Sequence, residues 1–80
     1  MQREHALNKI RKVIEKSEDL DPLIPLKDIS YETKFSEDLG FDSLALMSIL
    51  YELQEENPNI NESEINNWKT LNNCVESFLQ

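Results

Sequence analysis

The sequence predicts an all-α fold, a small bundle of three main helices plus one short helix with a long loop between helices one and two. One observation is the composition: 39% hydrophobic residues with a single glycine is too apolar for a disordered acidic tail and too poor in turn formers for a many-stranded sandwich. A second is that apolar residues recur at helical spacing in separate stretches, and a third is that Pro22 and Pro25 interrupt that pattern between the first two. Eighty residues suffice for a single domain, 1–80, with one small core. A domain near this size hides only about 60% of its unfolded surface, so a large enclosed active site is not expected.

Leu7, Ile10, Val13 and Ile14 define helix one within residues 2–17. From Glu18 to Asp42 the prolines remove backbone donors and restrict the residues before them, which predicts a loop. Its apolar residues, among them Leu23, Ile29, Phe35, Leu39 and Phe41, are too numerous for water and are expected to pack across the helices. Loops this long are often functional. Asp42 and Ser43 then offer N-cap chemistry for helix two, which runs to about Glu56 and stops before Pro58. Leu46, Ile49, Leu50 and Leu53 form its core stripe, while Leu44, Met47 and Tyr51 make an adjoining row that so small a core need not cover. A short turn is placed at Ser63 to Asn67, and Thr70 reads as the N-cap of a last helix carrying Leu71, Cys74, Val75, Phe78 and Leu79.

Acids outnumber bases 16 to 8, unevenly. Residues 1–12 carry Arg3, Lys9, Arg11 and Lys12 against Glu4, whereas no Lys or Arg occurs between Lys34 and Lys69. Such a surface repels phosphate backbones and attracts basic proteins, which argues against nucleic-acid binding. Cys74 is alone, so no intramolecular disulfide is possible, and its plain reading is a small buried apolar residue. No Cys/His cluster has metal-site spacing. The first residues lack the apolar stretch of a signal peptide and no run reaches membrane-spanning length, so a cytoplasmic chain without membrane insertion is expected.

The segment Asp38-Leu39-Gly40-Phe41-Asp42-Ser43-Leu44 resembles the signature of the acyl carrier protein family, which centres on Asp-Ser-Leu after a Leu-Gly pair. The resemblance extends over nearly the whole chain, to the last helix opened by Lys69-Thr70-Leu71. It implies an acyl-carrier-like bundle with a covalent 4'-phosphopantetheine arm on Ser43, installed from coenzyme A by a phosphopantetheinyl transferase. It also implies presentation of thioester-held cargo to acyl-loading and acyl-processing enzymes with basic docking patches. The physics of the position agrees, because a helix N-terminus favours an anion such as a phosphodiester. Asp42 can cap that helix or help hold the modifying enzyme's substrate in place. The expected docking surface is Asp42, Leu44, Met47, Ser48, Glu52 and Glu55, and the expected cargo groove is Met47, Leu50, Ile60, Ile65 and Trp68. A monomer with no catalytic set of its own fits: one His, one Cys and no Gly-rich phosphate loop leave little for a nucleophile and its base.

The chain departs from carriers of bacterial fatty-acid synthesis at Ala45, where a polar or acidic residue is usual, at Ser48, where a Glu is usual, and at Phe41 and Trp68. These departures favour a dedicated carrier of fatty-acid, polyketide or related specialised biosynthesis over a housekeeping one. Two alternatives stay open. One is a carrier of aminoacyl, peptidyl or D-alanyl cargo; the other is an unmodified interaction domain using the Leu44, Met47 and Tyr51 row.

Overall fold

The computed structural model describes residues 2–79. Helix α1 spans Arg3–Lys16, α2 spans Ser43–Gln54 and α3 spans Leu71–Leu79. Two 3-10 segments accompany them, Leu26–Asp28 in the long loop and Glu62–Asn67 before α3. The expected all-α bundle is present; α1 falls one residue inside the sequence estimate at each end, α2 and α3 start where expected, and the short helix starts one residue early, at Glu62. Helix α2 ends at Gln54 rather than Glu56, and a tight turn follows in which Glu56 and Asn57 donate to the Leu53 carbonyl.

Each helix contributes one apolar stripe. Ala6, Leu7, Ile10, Val13 and Ile14 of α1 meet Leu46, Ile49, Leu50 and Leu53 of α2 and Leu71, Cys74, Val75 and Phe78 of α3 in one continuous core. The 3-10 helix Glu62–Asn67 packs on both α2 and α3. Burying a side chain of this kind contributes about 1.5–3 kcal/mol, which for a chain this short makes the stripes decisive.

The long loop is anchored rather than loose. Leu20, Ile29, Phe35, Leu39 and Phe41 are buried, and Ile24, Leu26 and Tyr31 pack half-buried on the core. Leu23 departs from the expectation for this segment, being 72% exposed. Lys34 and Thr70 form an isolated antiparallel bridge, with Phe35 N–H donating to Lys69 and Leu71 N–H donating to Thr33. These bonds carry the loop across the start of α3. From the other side, the Arg11 guanidinium donates to the Ile29 carbonyl and the Arg3 guanidinium lies 5.0 Å over the Tyr31 ring. Two of the bases that sequence reading treated as surface charge therefore hold the loop down.

Candidate attachment site

The approach to α2 is built by a compact turn. Asp38 and Leu39 N–H groups donate to the Lys34 carbonyl, and the Asp38 carboxylate accepts from the Lys34 N–H at 2.8 Å. Gly40 ends the turn at φ +72°, its N–H donating to Ser36, which is the left-handed exit that glycine alone adopts without steric cost. Glycine is required here for a second reason: a Cβ would lie 3.0 Å from Leu23 Cδ1. Phe41 then turns inward and is buried, which leaves Asp42 and Ser43 at the surface.

Asp42 is the N-cap of α2. It is extended at φ −98° and ψ −173°, and its side chain accepts from the Ala45 N–H at 3.0 Å. Ser43 is the first helical residue and is exposed, and its hydroxyl has no hydrogen-bond partner among the described residues. Of the two residues that the sequence offers for capping, the aspartate takes the role. The serine hydroxyl is left free for chemistry. The N–H groups of Ser43 and Leu44 belong to the first turn, where no intrahelical acceptor exists, and with the helix dipole they make the position favourable to an anion.

A scan against protein-family models matches residues 8–77 to the phosphopantetheine attachment site family. The chain belongs to that family. No curated protein and no solved structure matches it. Members of the phosphopantetheine attachment site family are carriers without catalysis of their own, hold 4'-phosphopantetheine covalently on a serine, and work with phosphopantetheinyl transferases and biosynthetic enzymes. An exposed serine with an unengaged hydroxyl at a helix N-terminus fits that prosthetic group. No helix is long and apolar enough to cross a membrane, and no group of His, Cys, Asp and Glu among the described residues could hold a metal ion.

The residues expected for docking share the outer face of α2. Leu44 is 75% and Tyr51 is 53% exposed, Ser48, Glu52 and Glu55 are exposed, and Met47 is half-buried. Ser48 spends its hydroxyl on the Leu44 carbonyl at 3.3 Å. One neighbour was not foreseen: a cleft of about 370 Å³ runs beside this face, lined by Lys9, Lys12 and Lys16 of α1 with Tyr51 and Glu52 of α2. Lys9 pairs with Glu56 at 3.4 Å. The charge separation read along the chain is thus brought edge to edge in space.

The residues expected for a cargo groove are not one open channel. Leu50, Ile60 and Trp68 are core, while Met47 and Ile65 are half-buried against it. Trp68 does line a cavity of about 390 Å³, together with Phe35, Phe41, Leu46, Lys69 and Thr70. Phe41 and Leu46 bracket Ser43 in sequence, so this cavity lies close to the start of α2. Its loop wall was missed because Phe35 and Phe41 read only as loop residues seeking burial.

Proposed function

We propose that the chain is an acyl carrier whose 4'-phosphopantetheine arm is attached to Ser43. The observation that carries this reading is that Asp42 caps α2 and leaves the Ser43 hydroxyl exposed and without a partner. When bound, the arm supplies a terminal thiol on which cargo is held as a thioester. The protein's own residues do the positioning. Asp42 fixes the first turn, Gly40 ends the turn that leads into it, and the first-turn N–H groups favour the phosphate's charge.

An acyl cargo, of fatty-acid, polyketide or related specialised biosynthesis, is favoured by the cavity beside α2. Its Phe35, Phe41, Leu46 and Trp68 side chains offer an apolar chain contact that an aminoacyl group would not use, while Lys34, Glu37 and Lys69 complete the lining. Docking to partner enzymes is assigned to Asp42, Leu44, Met47, Ser48, Glu52 and Glu55, acids steering a basic surface and Leu44 holding it. The carrier is read as a cytoplasmic monomer.

The test is intact-protein mass after incubation with coenzyme A and a promiscuous phosphopantetheinyl transferase. One arm is added to the wild type and none to Ser43→Ala, with Ser36→Ala and Ser48→Ala behaving as wild type. Modification that survives in Ser43→Ala refutes the assignment, as does an unchanged wild-type mass under conditions that modify a known carrier.

A further inference from the structure

Leu23, Leu44 and Tyr51 are the large apolar side chains most open to solvent among the described residues. Two of them belong to α2, but Leu23 comes from the long loop, where its apolar neighbours are buried or half-buried. Its place is nevertheless fixed. The Leu23 N–H donates to the Leu39 carbonyl at 3.3 Å, and its side chain rests on Gly40, where a Cβ would come within 3.1 Å of both Cγ and Cδ1.

Gly40 precedes Ser43 by three residues, so their Cα atoms are at most about 11 Å apart. A standard protein interface covers about 800 Å² on each partner, equivalent to a disc of about 16 Å radius. A footprint of that radius centred on the Ser43 hydroxyl is wide enough to reach Leu23 where it rests on Gly40. With its backbone bonded to Leu39 and its side chain lying against Gly40, Leu23 has less conformational freedom to lose on being covered than a side chain on an unanchored loop, which makes it a good anchor.

We propose that Leu23 is a recognition residue for the transferase that modifies Ser43, seating in an apolar pocket beside that enzyme's active site. The proposal rests on the assignment of Ser43. It makes the recognised surface two-part, Leu44 from α2 and Leu23 from the loop, with Gly40 as the bare backbone that lets Leu23 lie close to the attachment turn.

The experiment is steady-state kinetics of a phosphopantetheinyl transferase with coenzyme A, using the whole chain as the varied substrate. Leu23→Ala is expected to raise KM about tenfold with kcat changed less than twofold, and Leu23→Met to restore most of the loss. Lys27→Ala, on the same loop, leaves both constants unchanged. Because Leu23 is 72% exposed, its variants keep the wild-type melting temperature, which separates recognition from folding. A KM for Leu23→Ala within twofold of wild type, with Ser43 modified normally, overturns this inference alone. A wild type that gains no arm, or gains it elsewhere than Ser43, overturns both this inference and the assignment beneath it.

Discussion

The indole N–H of Trp68 donates to the Ser77 hydroxyl at 3.0 Å, and both side chains are buried. Ser77 Oγ also lies 3.1 Å from Glu64 Oε2 and 3.2 Å from the Asn73 carbonyl, either of which can accept its proton. This joins the end of the 3-10 helix Glu62–Asn67 to α3. Phe35 from the long loop stacks on the other partner, its ring centroid 6.2 Å from that of Trp68. One side chain thus ties the long loop to both the 3-10 helix and α3.

Ser77→Ala should leave a buried indole donor without an acceptor, at a cost of about 1–3 kcal/mol. Urea unfolding followed by Trp68 emission measures it. The variant is expected to unfold at lower urea with an unchanged slope, since the same surface is exposed on unfolding. A midpoint equal to wild type would show that water replaces the hydroxyl.

At the head of α2, Asp42→Ala is expected to cost about 1 kcal/mol, because it removes the acceptor of the Ala45 N–H. Ser43→Ala is expected to cost only a few tenths of that, since no bond to the Ser43 hydroxyl is lost. The pair can be read by thermal unfolding of the unmodified protein. A Ser43→Ala penalty as large as that of Asp42→Ala would mean that the serine shares the cap.

How much of this was legible beforehand divides along a physical line. The helices follow from local signals, since period, prolines, one glycine and capping chemistry act within a few residues, whereas Ser43 is singled out by the resemblance of the Asp-Ser-Leu segment and not by those signals. Which of Asp42 and Ser43 caps was not legible, because both side chains suit an N-cap and only backbone angles choose between them. The path of the loop was illegible for a different reason. Its anchors, the Lys34–Thr70 bridge and the Arg11 and Arg3 contacts, are long-range pairings that leave no periodic trace. The sequence places Trp68 among the expected groove residues but gives no sign of its pairing with Ser77, since Ser77 looks like any polar position on an amphipathic helix.

Cys74 is fully buried in α3, and burial pushes its thiol well above the ordinary value of 9.0. The folded, unmodified chain should therefore resist thiol reagents at neutral pH and react only when unfolded. Once the arm is attached, reagent should count one thiol, that of the arm. The linkage has a definite sign. Above pH 9.0 the unfolded thiol ionises while the folded one stays protonated, so stability is intact below that pH and falls above it. The slope is about 1.4 kcal/mol per pH unit, and it should be absent from Cys74→Ala and so appear in the difference between wild type and that variant.

Glu52 and Glu55, two of the three acids on the proposed docking surface, should not behave alike. Glu52 borders the cleft lined by Lys9, Lys12 and Lys16, whose charges oppose its field, whereas Glu55 is not among the cleft residues. Glu55→Lys is therefore expected to slow association with a basic partner more than Glu52→Lys, by about twofold to fivefold at low salt. Leu44→Ala should weaken binding at any salt, since its contact is apolar. Stopped-flow association across a salt series checks both, and about 0.5 M salt should erase the charge effects but not the Leu44 effect. Equal effects from reversals spread along α1 would show that net charge alone governs the encounter.

The cargo prediction turns on Trp68, which is the only tryptophan and lines the cavity of about 390 Å³ beside α2. That volume falls within the usual range for a small-molecule pocket of about 300–1,000 Å³. Entry of an acyl chain would replace water against Phe41, Leu46 and Trp68 with apolar contact, and the indole would report the change. A medium-length chain on the arm is expected to shift Trp68 emission and to raise the melting temperature relative to the protein bearing the bare arm. A short or charged cargo is expected to do neither, the first for want of reach and the second because its charge would lose water against an apolar wall. Phe41→Ala and Leu46→Ala should weaken the response, although both residues also belong to the core and both variants must be corrected for lost stability. Emission and melting temperature that stay constant across chain lengths would mean that the chain remains in solvent, leaving Trp68 as a strut between loop and helix.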